Sequence, residues 1–212
     1  ATLLKGYGYE TRALHPGERT SWQRNIAYPR LGFDSFKCGE DMNVPQTEEH
    51  GYVSDDSDFE QIIWEFEHKD ENTPLFLFNV TIQNHGSYTV EDYTAEVQLA
   101  DEPGAYPKAE QYLTLANKTD EAFKKLIDYF SAQTEPTILV MFGDHQPSVE
   151  QEFLDKAYGV TQDEMTMAQY MDKFKVPFII WANYPLTGDS TKITLSLIHI
   201  SERTRQAEIS YA

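Results

Sequence analysis

Apolar and polar positions along this chain switch repeatedly between a strand-like and a helix-like period. Gly8 to Leu14 reads as a short strand that stops at His15-Pro16-Gly17, a turn signal. Ser57-Asp58-Phe59-Glu60 has the capping-box pattern, and Phe59, Ile62, Ile63 and Phe66 follow at helical spacing. The acidic residues beside it, Asp55, Asp56 and Asp58, read as a solvated helix entry. Leu75 to Ile82 is a mostly apolar run of strand length, as expected of a strand covered on both faces. A long helix is predicted from Lys108 to Phe130, with Tyr112, Leu115, Phe123, Leu126 and Phe130 on one face as a core stripe. Thr137 to Phe142 is a further buried-type strand. Gln162 to Lys173 is polar and helical, and Val176 to Ala182 gives a fourth strand. Such alternation implies an α/β fold with a mainly parallel sheet flanked by helices. Glu91 to Pro107 is polar and turn-rich, a surface loop. No internal repeat is present.

At 212 residues the chain can bury one sizeable core, and 40% hydrophobic with 25% charged residues describes an ordinary globular protein. No stretch approaches the roughly 20 apolar residues needed to span a bilayer, and the N-terminus has no signal-peptide pattern. A cytosolic chain and an exported one whose targeting segment is absent both fit. The net charge of −18 argues against a nucleic-acid partner, which needs a basic surface. An anionic ligand would need cations gathered locally against that field. The single cysteine, Cys38, excludes an internal disulfide and a multi-cysteine zinc site.

The tail differs in character. Leu195 to Arg205 resembles the translation of a transposon-type sequencing adapter, and Ile209 to Ala212 resembles the next adapter segment. We therefore expect residues 1–194 to form the native domain and 195–212 to be a read-through artefact, so His199 is given no role.

In open α/β sheets, ligands bind at the carboxyl ends of the strands. Three predicted strands end in a histidine: His15, His85 (in Gln83-Asn84-His85-Gly86) and His145 (in Gly143-Asp144-His145). His50 and His68 lie elsewhere. The three imidazoles could therefore converge on one pocket. Asp144 beside His145 suits Mn²⁺, Zn²⁺ or Mg²⁺, with Gly143 allowing a tight turn, although two ligands make half a site. The other reading has Asp144 capping the next helix. Arg24, in Trp22-Gln23-Arg24, can grip phosphate oxygens in two places, and an indole face can cover a small polyol. The alternative is a surface arginine beside a core tryptophan. His85 could donate to a phosphate, protonate a leaving alkoxide, or only satisfy a backbone carbonyl.

Several spaced blocks, in order, resemble lipoteichoic acid synthase-type phosphoglycerol transferases of the sulfatase/alkaline-phosphatase superfamily. They are His15-Pro16 with Trp22-x-Arg24, Tyr28-Pro29 and Leu31-Gly32-Phe33-Asp34-x-Phe36; Tyr52-Val53-Ser54-Asp55-x-Ser57-Asp58-Phe59; Phe78 to Gly86; Met141 to Ser148; and Lys175 to Tyr184. The resemblance spans Leu3 to Tyr184. It implies that Asp144 and His145 ligate one catalytic divalent ion, usually manganese, and that His15, Trp22, Arg24 and His85 line a phosphoglycerol pocket. Arg24, His15, His85 and the ion would neutralise the phosphoryl charge. It implies phosphatidylglycerol as donor, a glycerophosphate polymer as acceptor, and a parent protein anchored on the outer face of the bacterial membrane. The family's nucleophilic threonine and first carboxylate ligand lie upstream of the matched blocks, so the nucleophile is expected upstream of Ala1. Thr11, Thr20 and Thr81 do not sit in the nucleophile context. The resemblance thus describes a C-terminal part of the catalytic domain, inactive alone. Two rivals remain: a sulfatase or phosphodiesterase of the same superfamily, and a non-catalytic module binding anionic wall polymers.

Overall fold

Three parallel strands frame the molecule in the order β2 (Ser35–Cys38), β1 (Glu10–His15), β5 (Leu75–Asn79). The structure, a computed structural model, describes residues 1–186, 193–194 and 210–211. Helices α1 (Thr2–Lys5) and α2 (Arg24–Arg30) flank β1, the second carrying the chain from β1 to β2. Strands β3 (Glu48–Glu49) and β4 (Tyr52–Val53) form a small antiparallel hairpin. Helices α3 (Asp55–Glu67) and α4 (Pro107–Ser131) then pack on each other, followed by β6 (Ile138–Phe142), α5 (Gln151–Tyr158), α6 (Met167–Asp172) and β7 (Phe178–Ala182).

The expected α/β architecture with a parallel sheet is present, and the predicted strands and long helix fall within a few residues of their predicted bounds. Beside that three-stranded sheet, the last two long strands form a separate antiparallel pair. β7 pairs antiparallel with β6, Phe142 opposite Phe178 and Ile138 opposite Ala182. The excursion through α5 and α6 leaves and re-enters at the same end of β6. There the Gly143 amide donates to the Pro177 carbonyl at 3.2 Å.

Helix α3 begins earlier than the Ser57 capping box suggested. Its N-cap is Ser54, whose hydroxyl accepts from the Ser57 amide. The earlier start brings Asp55 into a helix with two buried faces. Phe59, with Ile62, Ile63 and Phe66, packs against Ala122, Phe123, Leu126 and Phe130 of α4, and Leu139, Met141 and Trp181 close that core from β6 and β7. Truncating Phe59 or Phe123 would cost about 3–5 kcal/mol by opening a cavity there. The other face is a buried polar stripe of Asp55, Asp58, Gln61 and Glu65, each at most 1% exposed. The solvated helix entry expected at Asp55 and Asp58 is therefore incorrect. Buried polar atoms need partners, and most of those in the stripe find them in the sheet and in the loop after β2. Asp58 accepts from Asn79 at 2.6 Å, Gln61 accepts from the Asn43 amide at 2.7 Å, and Glu65 pairs with Arg12 and Lys37 at 2.5 and 2.7 Å.

The resemblance blocks acquire structural roles. Tyr28 is buried against Phe33, Phe36 and Phe78, which ties α2 to the sheet. Asp34 accepts from the Thr11 amide and hydroxyl, both at 2.9 Å, and pairs with Lys5; these contacts hold its carboxyl down to about 2. Asn183 donates to the carbonyls of Phe130, Gln133 and Glu135, satisfying groups that the end of α4 leaves open. The long loop from Glu91 is stitched down by α4, whose Glu110 accepts from the amides of Leu99 and Gly104. The short strands β8 (Ile193–Thr194) and β9 (Ser210–Tyr211) pair antiparallel. The expectation for 195–212 otherwise falls outside the described residues.

Candidate functional site

His15 closes β1 at the carboxyl edge of the parallel sheet and is only 2% exposed. Its Nδ1–H donates to the Val80 carbonyl at 2.7 Å, which leaves Nε2 as a lone pair. A Cβ at position 17 would come within 2.6 Å of that Nε2, so Gly17 keeps the approach open. Burial pushes the imidazole below its usual pKa, and the charges of Arg24 and His85 push the same way against the Val80 bond. His15 is thus neutral at pH 7. The resemblance made it a charge neutraliser; its burial makes it a hydrogen-bond acceptor.

Arg24 opens α2 behind a kink at which Trp22 and Gln23 both adopt left-handed backbone, φ 56° and 54°. Consecutive non-glycine residues in that region are strained, and strain of this kind gathers at functional sites. The kink turns Trp22 outward to 84% exposure, so it is no core tryptophan. Arg24 is half-buried and donates to the Ser21 carbonyl at 3.2 Å, and its charge acts on the buried Tyr28 hydroxyl.

His85 lies on the loop after β5 and is exposed. Its Nδ1–H donates to the Gly86 carbonyl at 2.7 Å, with the Tyr52 hydroxyl 3.3 Å away. One ring nitrogen therefore satisfies a backbone carbonyl, and that bond frees the other. His50 ends no strand of the parallel sheet, yet it lies close to the His85 loop. Its ring packs near Tyr52, Tyr88 and Tyr93, its Nε2–H donates to the Gln83 carbonyl at 3.0 Å, and the charge of His85 acts on it. Its position on the β3–β4 turn, at φ 37°, gave no signal in the apolar pattern.

Asp144 and His145 follow β6, both largely exposed, with Nε2 of His145 3.6 Å from Asp144 Oδ2. His145 repeats the arrangement of His15 and His85, Nδ1–H to the Gln146 carbonyl at 2.8 Å. Asp144 accepts from the His145 amide at 2.9 Å and caps no helix; the next helix has Glu150 as its N-cap. Gly143 is not in the left-handed region. Its lack of a Cβ instead allows close approach, since one would meet the Val176 side chain at 3.3 Å. The donor chemistry fits a divalent ion: a hard carboxylate and an imidazole nitrogen, tautomer fixed from behind by a backbone carbonyl. Among the described residues, no group of three or more His, Cys, Asp or Glu side chains could hold a metal ion.

Arg24 and His85 both lie close enough to His15 for their charges to act on it. Asp144 reaches the same neighbourhood through Tyr88, whose hydroxyl donates to the Asn84 carbonyl at 2.8 Å. Burial, then Tyr112, then the charge of Asp144 push that phenol up to about 12. Ala1 is the N-cap of α1, and its carbonyl accepts from the Lys5 amide at 3.1 Å. It brings no side chain to these groups, and a nucleophile expected upstream of Ala1 lies outside the described residues.

Comparison with known proteins places these residues in context. A protein of Rhizobium meliloti described as a putative cyclic beta-1,2-glucan modification protein is 30% identical over 192 residues, 86% of this chain and 29% of that protein. A lipoteichoic acid synthase-like protein of Bacillus subtilis is 27% identical over 181 residues, 84% of this chain and 28% of its own length. The chain thus spans less than a third of these relatives. The phosphoglycerol transferase GacH of Streptococcus pyogenes, solved with sn-glycerol-1-phosphate, superposes with a TM-score of 0.64 at 21% identity, over 83% of this chain and 44% of that one. The lipoteichoic acid synthase LtaP of Listeria monocytogenes gives 0.64 at 19%, over 84% and 44%. At these identities the superpositions speak for the fold, and the sulfatase profile matches residues 1–196, so the chain belongs to the sulfatase family.

Proposed function

We propose that the chain carries the phosphoglycerol-binding part of a metal-dependent phosphoglycerol transferase that moves glycerophosphate from phosphatidylglycerol to a lipoteichoic acid-type polymer. The observation that carries this is a repeated one. His15, His85 and His145 each tether Nδ1–H to a backbone carbonyl and leave Nε2 free, and the charges of Arg24 and His85 both act on His15. Arg24 grips two non-bridging phosphate oxygens as a planar fork. Neutral His15 accepts from a glycerol hydroxyl, and the exposed face of Trp22 covers the polyol. His85, when protonated at Nε2, donates to the phosphate or to the departing alkoxide. Asp144 and His145 would hold a divalent ion, Mn²⁺ by the resemblance or else Mg²⁺ or Zn²⁺, which supplies charge stabilisation at the phosphoryl oxygens.

The covalent steps belong to the parent protein. A threonine hydroxyl from the part of the domain upstream of Ala1 attacks phosphorus, and diacylglycerol leaves with the proton. An acceptor hydroxyl then displaces the threonine. By the same reading the parent is anchored on the extracellular face of the bacterial membrane; among the described residues, no helix is long and apolar enough to cross a membrane. The relative described as a glucan modification protein favours a second reading, the same donor and transfer with a carbohydrate acceptor.

Titration of the chain with sn-glycerol 1-phosphate, followed by NMR, tests the shared binding step. Saturable shifts at His15, Arg24 and His85 are expected. Arg24→Lys should bind about tenfold more weakly, because a point charge loses one of two charge-assisted bonds. Shifts confined to other surfaces would overturn the reading.

A further inference from the structure

The loop that carries His85 is held from beneath by groups that the proposed chemistry does not use. Asp55 is fully buried at the start of α3, and its Oδ2 accepts from the Thr119 hydroxyl of α4 at 2.6 Å. Thr119 in turn accepts from Asn84 Nδ2 at 2.8 Å and Gln83 Nε2 at 3.2 Å. The Asp55 amide donates to Gln83 Oε1 at 3.0 Å, which closes a ring of bonds around the two residues preceding His85.

The sense of every bond follows from the carboxylate. An ionised carboxylate only accepts, so the single Thr119 proton goes to Asp55 in preference to the Leu115 carbonyl at 3.1 Å. Both hydroxyl lone pairs then remain for the amides of Asn84 and Gln83. Turning Thr119 to Leu115 strips the buried carboxylate oxygen of its donor, and flipping Gln83 leaves the buried Asp55 amide unpaired, each at a cost of about 1–3 kcal/mol. Burial pushes Asp55 up to about 6, against the Thr119 bond, so a fully buried carboxylate is kept here at appreciable cost. A residue serving only to pack α3 on α4 would not need it; the apolar side of α3 already does that with Phe59.

We propose that Asp55 and Thr119 act as a positioning pair, setting the direction from which His85 faces the bound phosphoglycerol by fixing Gln83 and Asn84. This rests on the reading of His85 as a pocket residue. Neither side chain touches the ligand in this role; both act through the loop.

The test uses the whole chain, with Thr119→Val, Thr119→Ser and Asn84→Ala compared with wild type. Three readouts are taken: the His85 imidazole resonances, affinity for sn-glycerol 1-phosphate, and melting temperature. Thr119→Val removes the hydroxyl at constant shape, so the His85 resonances should move and affinity should fall about tenfold. Thr119→Ser restores the hydroxyl and should return both to near wild type. Should Thr119→Val fail to fold, Asn84→Ala cuts the same link from the loop side and is expected to give the same shifts. A lowered melting temperature with unmoved His85 resonances and unchanged affinity overturns the proposal, leaving a structural role only. If wild type binds no glycerol phosphate, the functional reading fails by itself. The positioning claim is then judged on the His85 resonances, supported by movement in Thr119→Val with recovery in Thr119→Ser and overturned without it.

Discussion

Asp58 and Asn79 meet across the α3–β5 contact with one hydrogen bond made and one oxygen on each left over. Asn79 Nδ2 donates to Asp58 Oδ2 at 2.6 Å, while Asp58 Oδ1 and Asn79 Oδ1 are both buried without a partner. A proton on Asp58 Oδ1 would let it donate to Asn79, giving an acid–amide pair with nothing unsatisfied. Complete burial, with the nearby Asp55 charge, drives the Asp58 carboxyl well above its usual range against the Asn79 bond, which agrees with a neutral acid.

Asp58→Asn reproduces that neutral pair with an amide and should fold normally. The sign is fixed by linkage. A carboxyl whose folded pKa is raised contributes stability that is full below its unfolded value near 4 and is lost as pH rises towards the folded value. Relative to wild type, Asp58→Asn should therefore gain stability progressively as pH rises above 4. Urea denaturation at a series of pH values measures the difference. A constant offset across that range would show that Asp58 is ionised in the fold.

His15 should titrate below its ordinary value in the free chain, because burial, Arg24 and His85 all oppose its charge. A lowered imidazole pKa means that stability from the buried neutral ring is fully present above the unfolded value near 6.5 and is lost as pH falls from there through the lower folded value. A glycerol hydroxyl donating to Nε2 favours the neutral ring, so saturating sn-glycerol 1-phosphate should lower the midpoint further, whereas a phosphate seated against the ring would raise it. NMR titration of the His15 ring with and without ligand reads both directions.

Strand-end histidines were legible because a buried apolar run followed by a turn and a polar cluster is a strong local signal. His15, His85 and the Asp144-His145 pair were found that way, and the direction of β7 was not. Apolar runs specify that a strand forms and say nothing of which way it enters the sheet. The polar stripe of α3 was hidden for a related reason. Asp55, Asp58, Gln61 and Glu65 occupy the positions that a one-faced amphipathic helix gives to water, and only the sheet lying against that face makes them interior. His50 was missed because its place beside His85 depends on a hairpin of two-residue strands, too short to leave a periodic trace.

Residues 195–212 are proposed to be foreign to the domain. Removing them should leave the melting temperature and the sn-glycerol 1-phosphate affinity unchanged. A drop in either would assign the tail to the native fold.

The outer face of the β6–β7 pair makes a further prediction about the isolated chain. Ile138, Val140 and Phe142 are 51, 51 and 52% exposed on one face of β6, and Ile180 opposite Val140 is 45% exposed. Contiguous apolar surface of this kind binds hydrophobic dyes and promotes association. Val140→Glu at its centre should lower both dye fluorescence and the sedimentation-detected oligomer, with Leu139 and Met141 still packed on the helical core.

Asp144 and His145 supply two donors, and two donors hold a divalent ion loosely. Mn²⁺ added to the chain should broaden NMR signals around Asp144 and His145 first, in fast exchange. His68, the C-cap of α3 on the connection into β5, is a control and should broaden only at much higher metal. Asp144→Ala removes the hard oxygen ligand and should abolish the selective broadening, as should His145→Ala. Gln146→Ala is the informative intermediate. It keeps the backbone carbonyl that accepts from His145 Nδ1, so the tautomer and the free Nε2 persist and broadening should survive. Selective broadening that persists in Asp144→Ala would move the ion elsewhere and remove the metal from this part of the proposed site.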